Sequence, residues 1–340
     1  MRYRRLGRAN VSVSEIGLGC WTIGGRYWNQ GRSKGWSGPL NEHDIIDAIR
    51  GAVDRGVNHF DTADIYGYGR SERLLGQALE GPRHEVLIAT KVGWAATTAP
   101  HVYDPLNIRR QCEQSLRNLR ADCIDIYYFH HCEFGDRDCY LPDAIETMER
   151  LQAEGSIRWV GLSGYSYDDL SRVACTLNPV VIQSWADIEH DEFIRDAAPL
   201  RTLMDARDMA FVGMMPLGQG RLVGKYDPDS PPLFPDGDNR AGSSAFSAES
   251  LTELQPRLDA LRRRFGAAPG DLARVALQFV LAQPVVASVI PGFRDRRQVE
   301  SNVSAADCRL SDDDLSFIRE IFPRRAMPPH PWTHITSSAR

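Results

Sequence analysis

Four side chains that can hold or transfer a proton follow the ends of three apolar segments. Asp61 and Tyr66 follow the first segment, Lys91 follows the second, and His130 follows the third. The segments are Val57–Phe60, Val86–Thr90 and Ile124–Phe129. Each is short and rich in β-branched or aromatic residues, as is typical of a buried strand. In a barrel of parallel strands the carboxyl ends meet at one mouth, so we expect the four side chains to converge there.

Together the four groups suit proton transfer to a carbonyl oxygen. A phenol has a pKa of about 10 in water, too high for efficient proton donation near neutral pH. The Lys91 ammonium is expected to lower the pKa of the Tyr66 phenol, and the Asp61 carboxylate to hold that ammonium in place. The His130 imidazole can donate a hydrogen bond to a substrate oxygen. Because no side chain carries a hydride, the pattern implies a nicotinamide cofactor.

Each residue alone also has a plainer explanation. Asp61 could be a turn residue at a strand end, and Tyr66 could serve packing alone. Lys91 is harder to explain in this way, because a partly buried ammonium needs a partner. Of the adjacent His130 and His131, only one can point inward along a strand. The combination is therefore more specific than any single residue in it.

Strands and helices alternate along the chain, and eight strands can be counted. The predicted strands are Glu15–Gly19, Val57–Phe60, Val86–Thr90, Ile124–Phe129, Arg158–Leu162, Val180–Gln183, Ala210–Met214 and Val286–Ile290. This alternation predicts a parallel sheet, and the count of eight predicts a closed barrel. No Gly-x-Gly-x-x-Gly follows the first strand, which argues against an open dinucleotide-binding sheet.

Further segments complete the predicted architecture. A hairpin over Tyr3–Ser12 is expected to close the bottom of the barrel. The helices Arg296–Ala305 and Asp312–Phe322 follow the last strand. The prediction is an α/β fold, a (β/α)8 TIM barrel in one domain over residues 1–340. It has an N-terminal β-hairpin, additional C-terminal helices and an extended tail from about residue 323.

Helix caps and long loops can also be placed. Asn41, Ser71 and Asn107 each precede an apolar stripe at helical spacing and are predicted to be N-caps. The segments Trp21–Gly38 and Leu217–Ser247 are long and rich in glycine, and they are predicted to form loops around the pocket. The candidate substrate-pocket residues are Trp21, Trp28 and His131.

The composition excludes several classes of protein. A net charge of −5 leaves no basic surface for nucleic acid. The apolar runs are shorter than the ~20 residues that cross a bilayer, so no membrane association is expected. Seven cysteines, an odd number without a Cys-x-x-Cys, indicate neither a disulfide framework nor a zinc site. We therefore expect no metal and a reducing, cytoplasmic environment. Cys132 beside two histidines is best explained as a small loop residue.

At the four proton-handling residues the sequence resembles the aldo-keto reductase family. The matching segments are Tyr3–Gly7, Ile16–Gly19, Asp61–Gly67, Ala89–Lys91, Asp125–His130, Gly161–Ser163, Pro216–Gly220 and Ile290–Gly292. The resemblance implies a (β/α)8 barrel that reduces a small aldehyde or ketone with NADPH. By position, Tyr66 would be the general acid, Lys91 would tune it with Asp61, and His130 would orient the carbonyl.

The resemblance also implies a binding site for NADPH or NADP⁺. Its residues by position are Ser163, Gln183, Met214, Leu217, Gln219, Gly220, Gly292, Arg294, Gln298 and Asn302. Ser163 and Gln183 would hold the nicotinamide carboxamide, and Leu217, Gln219 and Gly220 would lie along the pyrophosphate. Arg294 and Gln298 would meet the adenosine 2′-phosphate, which favours NADP over NAD.

Two positions depart from the family pattern. The family usually has asparagine after the serine, where this chain has Gly164. The family usually stacks an aromatic residue on the nicotinamide at the end of the seventh strand, where this chain has Met214 and Met215. A thioether can still pack against such a ring.

Two other functions are compatible with the same residues. The loops Trp28–Gln30 and His131–Glu133 are polar, which would suit an NAD(P)-dependent sugar or polyol dehydrogenase that oxidises a hydroxylated substrate. A nicotinamide-binding regulatory subunit, resembling the potassium-channel β-subunits, is the alternative outside the enzymes. The intact set of four residues argues against a purely regulatory role.

Overall fold

The computed structural model describes residues 1–29, 32–95, 98–196 and 198–323, and its centre is a barrel of eight parallel strands. The chain begins with an antiparallel hairpin of β1 (Tyr3–Arg5) and β2 (Ser12–Ser14), in which Tyr3 pairs with Ser14. Asn10 turns this hairpin in the left-handed conformation, with φ at 55°. A short polar side chain tolerates that conformation better than most.

The remaining elements follow the predicted alternation. They are β3 (Leu18–Gly19), α1 (Trp21–Gly24), β4 (Arg26–Asn29), β5 (Arg32–Gly35), α2 (Glu42–Asp54), β6 (His59–Asp61), α3 (Arg70–Ala78), β7 (Leu87–Val92), α4 (Pro105–Leu119), β8 (Ile124–Phe129), α5 (Leu141–Ala153), β9 (Ile157–Ser163), α6 (Tyr167–Leu177), β10 (Val181–Trp185), α7 (Pro199–Ala206), β11 (Ala210–Met214), α8 (Ala248–Phe265), α9 (Pro269–Leu281), β12 (Val286–Ile290), α10 (Arg296–Ser304) and α11 (Asp312–Ile321).

The barrel strands pair in chain order and the two edge strands meet. The order is β3-β6-β7-β8-β9-β10-β11-β12, with every pair parallel. Parallel bridges from Ile16 to Val289 and from Gly19 to Gly292 join the first strand to the last. The predicted (β/α)8 barrel is therefore confirmed, and its closure brings all eight carboxyl ends to one mouth.

The N-terminal hairpin lies at the opposite end from that mouth. Leu6 and Val13 are fully buried and share a cluster with inward-facing residues of five barrel strands, among them Leu87 and Ala210. The backbone N–H of Arg8 donates to the carbonyl of Asp208, just before β11 begins. The hairpin thus fills the amino-terminal end of the barrel, as the sequence predicts.

A buried carboxylate fastens this hairpin to the barrel. Glu15 is 1% exposed and accepts hydrogen bonds from Arg2 Nε and Arg4 Nε, both at 2.7 Å. Arg4 also donates to the carbonyls of Leu281 and Val286. Burial alone would raise the pKa of Glu15, but the hydrogen bonds and charges of Arg4 and Arg2 outweigh it and lower the pKa.

Replacing Glu15 by glutamine should destabilise the protein in a pH-dependent way. A carboxyl whose folded-state pKa is depressed adds stability above its unfolded pKa and loses it as pH falls through the folded value. At neutral pH we expect the Glu15→Gln variant to lose about 2 kcal/mol of unfolding free energy. Urea unfolding at decreasing pH should show this difference shrinking below about pH 4. A difference that stays constant with pH would show that the carboxylate charge contributes nothing.

The first long loop is more ordered than the sequence predicts. Residues 21–38 contain the short helix α1 and the hairpin of β4 and β5. This hairpin contacts the other long loop: the N–H of Gly35 donates to Asn239 Oδ1 at 2.9 Å, and Ser37 Oγ donates to Asp238 Oδ2 at 2.5 Å. The two long loops therefore touch each other beside the barrel mouth.

The helix caps agree with the sequence in one case of three. Asn41 caps α2 by accepting from the N–H of His43 at 3.0 Å, as predicted. Gly69 precedes α3, and Ser71 lies inside that helix, where its Oγ donates to the carbonyl of Cys20. Asp104 caps α4, and Asn107 lies within the helix. The caps predicted at Ser71 and Asn107 are wrong because polar side chains there bond to neighbouring loops.

The chain beyond the barrel agrees with the prediction as far as it is described. The helices α10 and α11 follow the last strand, as expected. The extended tail predicted from about residue 323 falls almost entirely on residues outside the described ranges. Among the described residues, no helix is both long enough and apolar enough to cross a membrane.

Candidate active site

A buried ion pair stands at the centre of the barrel mouth. Lys91 on β7 is 1% exposed and Asp61 at the end of β6 is 3% exposed. Lys91 Nζ donates to Asp61 Oδ1 at 2.5 Å and to the carbonyl oxygen of Thr62 at 2.8 Å. Asp61 pairs with Ala89 across the two strands, and Lys91 lies only two residues after Ala89 on β7. The parallel register places the two charges together.

The second oxygen of the Asp61 carboxylate is also bound. Gln183 on β10 donates from Nε2 to Asp61 Oδ2 at 2.7 Å. The sequence predicts that Gln183 holds a nicotinamide carboxamide, and here its amide N–H bonds to Asp61. With both oxygens occupied, Asp61 is fixed in one orientation, and so is Lys91.

The phenol and the imidazole lie against this pair. The Tyr66 and His130 rings meet edge to face, with 5.7 Å between their centroids. Lys91 Nζ lies 5.4 Å from the centroid of the Tyr66 ring. The backbone of His130 is fixed by its N–H, which donates to the carbonyl of Val92 at 2.9 Å. All four residues singled out by the sequence are thus neighbours in space.

The pKa of the phenol departs from the expectation. Burial raises the pKa of Tyr66 well above its ordinary value, and the Asp61 carboxylate raises it further. The sequence predicts that Lys91 lowers this pKa, and this is not what the structure gives. The physical reason is that burial has the largest effect on this phenol, and the Asp61 carboxylate, which binds the ammonium at 2.5 Å, acts on the phenol in the same direction. The phenol is therefore held in its protonated form.

The imidazole of His130 is neutral. Burial lowers the pKa of His130 well below its ordinary value, and the Lys91 ammonium lowers it further. Its Nδ1 has no hydrogen-bond partner within the described part of the chain. A neutral ring carries one N–H donor and no competing positive charge. It is suited to bind an uncharged oxygen.

Aromatic rings form the walls around these groups. The Trp94 ring lies 6.1 Å from His130 between centroids. Tyr27 on β4 shares a small apolar cluster with Tyr66 and Trp94. Tyr165 lies close enough to raise the pKa of Tyr66. Tyr27, Trp94 and Tyr165 were not found from the sequence, because they lie outside the barrel strands and the amphipathic helices and carry no periodic pattern.

The three candidate substrate residues have different surroundings. His131 is used locally: its Nε2 donates to the carbonyl of Gly93 at 2.6 Å, and its ring packs on Trp94 with centroids 4.7 Å apart. Trp21 lies edge-on to Trp36 at 6.4 Å. Trp28 is 67% exposed on the hairpin. Their role in binding a substrate stays a prediction.

The residues predicted for the nicotinamide and the pyrophosphate lie along one side of the mouth. Ser163 ends β9 and Met214 ends β11. After β11 the chain makes a tight turn at residues 217–220, in which Gly218, Gln219 and Gly220 all have positive φ. Successive residues of this kind form a concave backbone surface, which is a common place for an anion.

A cluster of positive charge lies where the 2′-phosphate is predicted. Arg294 Nε donates to Gln298 Oε1 at 3.4 Å, and the Arg294 guanidinium lies 5.1 Å from the centroid of Trp36. The guanidinium of Arg240 lies 3.9 Å from the same ring, and Lys225 Nζ lies 5.8 Å from it. Partial burial lowers the pKa of Lys225, and Arg294 and Arg240 lower it further. These cations are close enough to affect one another.

Part of this cluster was not found from the sequence. Arg294 and Gln298 were predicted, whereas Lys225 and Arg240 were missed within the long Gly- and Pro-rich loop. Asn302 Nδ2 donates to the carbonyl of Gly292 at 3.2 Å, so these two predicted residues support the backbone of this region. Over the part of the chain that the structure describes, no group of three or more acidic, His or Cys side chains could hold a metal ion.

Comparison with known proteins agrees with this geometry. The model of the aldo/keto reductase family matches residues 15–322, which is most of the chain. The chain belongs to the aldo/keto reductase family. Like that family, it is an NAD(P)H-dependent oxidoreductase that acts on CH–OH or carbonyl groups. The expectation of an enzyme is confirmed.

Individual members show how widely the similarity extends. A probable aldo-keto reductase 1 of Glycine max is 31% identical over 94% of this chain and 88% of its own length. An NADH-specific methylglyoxal reductase of Escherichia coli is 28% identical over 93% of this chain and 97% of its own. An aldo-keto reductase of Bacillus halodurans, solved in its holo form, superposes with a TM-score of 0.73 at 26% identity, covering 97% of this chain and 99% of that one.

Proposed function

We propose that this aldo-keto reductase uses NADPH to reduce an aldehyde or ketone to an alcohol, with Tyr66 as the general acid. The observation that supports this most is the convergence of Tyr66, His130 and the Lys91–Asp61 pair at one mouth. A proton donor, a neutral hydrogen-bond donor and a fixed cation are the groups that carbonyl reduction needs around the oxygen.

Each residue then has a separate task in the reaction. His130, neutral and buried, donates a hydrogen bond to the carbonyl oxygen and orients it. Tyr66, held protonated by burial, gives its proton to that oxygen as negative charge develops there. Lys91, fixed by Asp61, stabilises the phenolate that remains. The reduced dinucleotide, when bound, supplies the hydride that adds to the carbonyl carbon.

The residues on the other side of the mouth fit a dinucleotide. The turn at residues 217–220 offers a concave backbone for a pyrophosphate, and Arg294 and Lys225 offer positive charge for a phosphate, whereas the buried Arg240 is paired with Asp238 at 2.8 Å. Ser163 is the last residue of β9, and the family resemblance implies that it holds the nicotinamide carboxamide. We propose that Arg294 and Lys225 make NADPH the preferred cofactor.

Replacing Arg294 by alanine should separate the two cofactors. A charge-assisted contact to a phosphate contributes about 1.5–3 kcal/mol, so NADPH should bind at least about tenfold more weakly to Arg294→Ala. NADH lacks the 2′-phosphate and should bind with unchanged affinity. Titration calorimetry with each reduced cofactor measures both values. Arg296→Ala is the matched control, because Arg296 is an exposed arginine two residues farther along the chain, at the start of α10.

The preference for NADPH over NADH has to be measured, because one relative is described with the opposite preference. The Escherichia coli protein is described as NADH-specific, so the family contains members with the opposite preference. Equal affinity of the wild-type protein for NADPH and NADH would contradict the proposed preference. The same result would leave the proposed chemistry of Tyr66 intact.

A panel of substrates tests the reaction itself. The fall in reduced-nicotinamide absorbance should be followed with aliphatic and aromatic aldehydes, ketoaldehydes and ketones. The reverse reaction should be followed with sugars and polyols in the presence of NADP⁺ and NAD⁺. Faster oxidation of a polyol with NAD⁺ than reduction of any carbonyl would favour the dehydrogenase alternative. No turnover in either direction would contradict the proposed activity.

We also propose that the enzyme acts in a reducing cytoplasm, because its seven cysteines are all free thiols.

A further inference from the structure

A tryptophan at the barrel mouth is placed where it can contact a nicotinamide. Trp185 is the last residue of β10 and follows Gln183 by two positions, so both side chains lie on the same face of the strand. That face is the interior, because Val181 belongs to the barrel core and Gln183 donates to Asp61 Oδ2 at 2.7 Å. Trp185 therefore lies one step farther toward the mouth than Gln183.

The neighbouring strand places Met214 beside it. Trp185 and Met214 are partners in the register of β10 and β11. Residues that pair in parallel strands share a face of the sheet, and Met214 packs against the same interior cluster as Val181. The indole thus stands next to the thioether at the strand end where the family usually carries an aromatic ring.

Two buried side chains hold the indole in place. Trp185 Nε1 donates to Asp187 Oδ2 at 2.6 Å, and His190 Nδ1 donates to Asp187 Oδ1 at 3.0 Å. The Trp185 and His190 rings lie 4.5 Å apart between centroids, tilted by 42°. Asp187 is fully buried and also accepts from the backbone N–H of Glu189 and of His190. Because Asp187 accepts all these hydrogen bonds, its side chain is held in one conformation, and it fixes the rings of Trp185 and His190.

The same loop is tied to the turn that follows β11. Glu189 pairs with Arg221 at 3.0 Å, and both side chains are at least nine-tenths buried. Arg221 directly follows the turn at residues 217–220. The segment that holds the indole and the segment proposed for the pyrophosphate are therefore joined by a buried ion pair.

We infer that Trp185 supplies the aromatic wall against the nicotinamide ring in this chain, in place of the missing aromatic at Met214, and that Asp187 and His190 are positioning residues for it. The inference rests on the proposed function, because it needs a bound nicotinamide. An indole that is already fixed loses little conformational entropy on binding, and its flat face suits a planar ring.

Two substitutions of Trp185 test the aromatic face. Trp185→Leu keeps an apolar side chain but removes the ring, and we expect it to weaken NADPH binding about tenfold. Trp185→Phe restores a ring and should stay within about threefold of the wild type. Titration calorimetry measures these affinities without depending on tryptophan emission. Trp159→Phe, at the other end of the barrel, is the control for loss of a tryptophan.

A spectroscopic signature tests the positioning role of His190. Burial alone lowers the pKa of His190, but the hydrogen bond to Asp187 and the charges of Asp187, Glu189 and Glu192 raise it above the ordinary value. The other charged groups facing this loop, Arg221 and Arg257, pair with Glu189. A protonated imidazole quenches a neighbouring indole, so emission should rise as pH passes above about 6.5.

Variants identify the source of that change. The pH-dependent rise in emission should disappear in Trp185→Phe and in His190→Gln, and persist in His84→Gln, an exposed histidine. His190→Gln should also weaken NADPH binding, because the ring of Trp185 loses its support. A His190→Gln variant that is less stable but binds NADPH as tightly as the wild type would show that His190 does not position the ring for the cofactor.

The outcomes separate this inference from the proposed function. If the wild-type protein binds NADPH and Trp185→Leu binds it equally well, the inference is wrong and the proposed function stands. If Trp185→Phe is as weak as Trp185→Leu, the indole acts through its N–H and not as a ring wall, and the inference is also wrong. If the wild-type protein binds neither NADPH nor NADH, the proposed function and the inference both fail.

Discussion

Replacing Tyr66 by phenylalanine is expected to lower the turnover number by roughly 10²-fold or more, with cofactor binding unchanged. The substitution removes one oxygen and keeps the ring that packs edge to face on His130. General acid catalysis contributes about 10²–10⁴-fold, so the loss should appear in the chemical step. Single-turnover mixing of the protein–NADPH complex with the best carbonyl of the panel measures that step separately from product release.

The neighbouring tyrosine provides a control for this experiment. Tyr68 lies two residues away and is exposed, and Tyr68→Phe should leave the turnover number within about twofold of the wild type. Affinity for NADPH should be the same in both variants. Unchanged turnover in Tyr66→Phe would reject the role of proton donor. Loss of NADPH binding in Tyr66→Phe would show that the phenol acts on the cofactor site.

Replacing Lys91 by methionine is expected to lower both stability and activity. The substitution leaves the Asp61 carboxylate buried beside Gln183 with no opposite charge. Removing one partner of a buried ion pair costs about 3–5 kcal/mol. Urea unfolding should show that loss, and turnover should fall because no cation stabilises the phenolate of Tyr66.

A second variant separates the two effects. Lys91→Met combined with Asp61→Asn removes both charges, so much of the lost stability should return while activity stays low. The exposed pair of Arg109 and Glu154 is the reference, and Arg109→Met should cost no more than about 1 kcal/mol. Equal costs for the buried and the exposed substitution would contradict the importance of burial. Full activity in Lys91→Met would exclude the lysine from the chemistry.

The barrel could be predicted because strands and helices leave local signals. Short apolar segments that alternate with amphipathic helices identified all eight strands, and β8, β11 and β12 have the predicted bounds. The convergence of Asp61, Lys91 and His130 follows from that topology alone, since all three lie at the carboxyl end of a parallel strand or within one residue of it. The position of Tyr66 does not follow from the strands alone, because it lies in the loop after β6 and this loop has to be placed over the same mouth.

The electrostatics of the site could not be predicted from residue types. The sequence predicts that the Lys91 ammonium lowers the pKa of the Tyr66 phenol and that the Asp61 carboxylate holds this ammonium in place. The structure shows the ammonium bound to Asp61 and to the Thr62 carbonyl, and burial dominating the pKa of the phenol. Whether burial, the Asp61 charge or the Lys91 charge dominates the pKa of the phenol depends on distances of a few ångströms, and a sequence does not contain these distances.

Loops were the other source of error. The caps predicted at Ser71 and Asn107 fit the local pattern, but both side chains bond to residues far away or in adjoining loops. Lys225 and Arg240 lie over the Trp36 ring, as Arg294 does, although each is more than fifty residues away from Arg294 in the sequence. Such contacts arise from tertiary packing, which overrides local preference.

The most direct measurement is a crystal structure of the protein with NADP⁺ and an unreactive analogue of the best carbonyl substrate. We expect the analogue oxygen within about 2.6–3.2 Å of both the Tyr66 phenol and the His130 ring, and its carbon against the nicotinamide. An analogue oxygen bound away from Tyr66, with the phenol facing protein and no space beside the nicotinamide, would contradict the proposed role of Tyr66 as the proton donor.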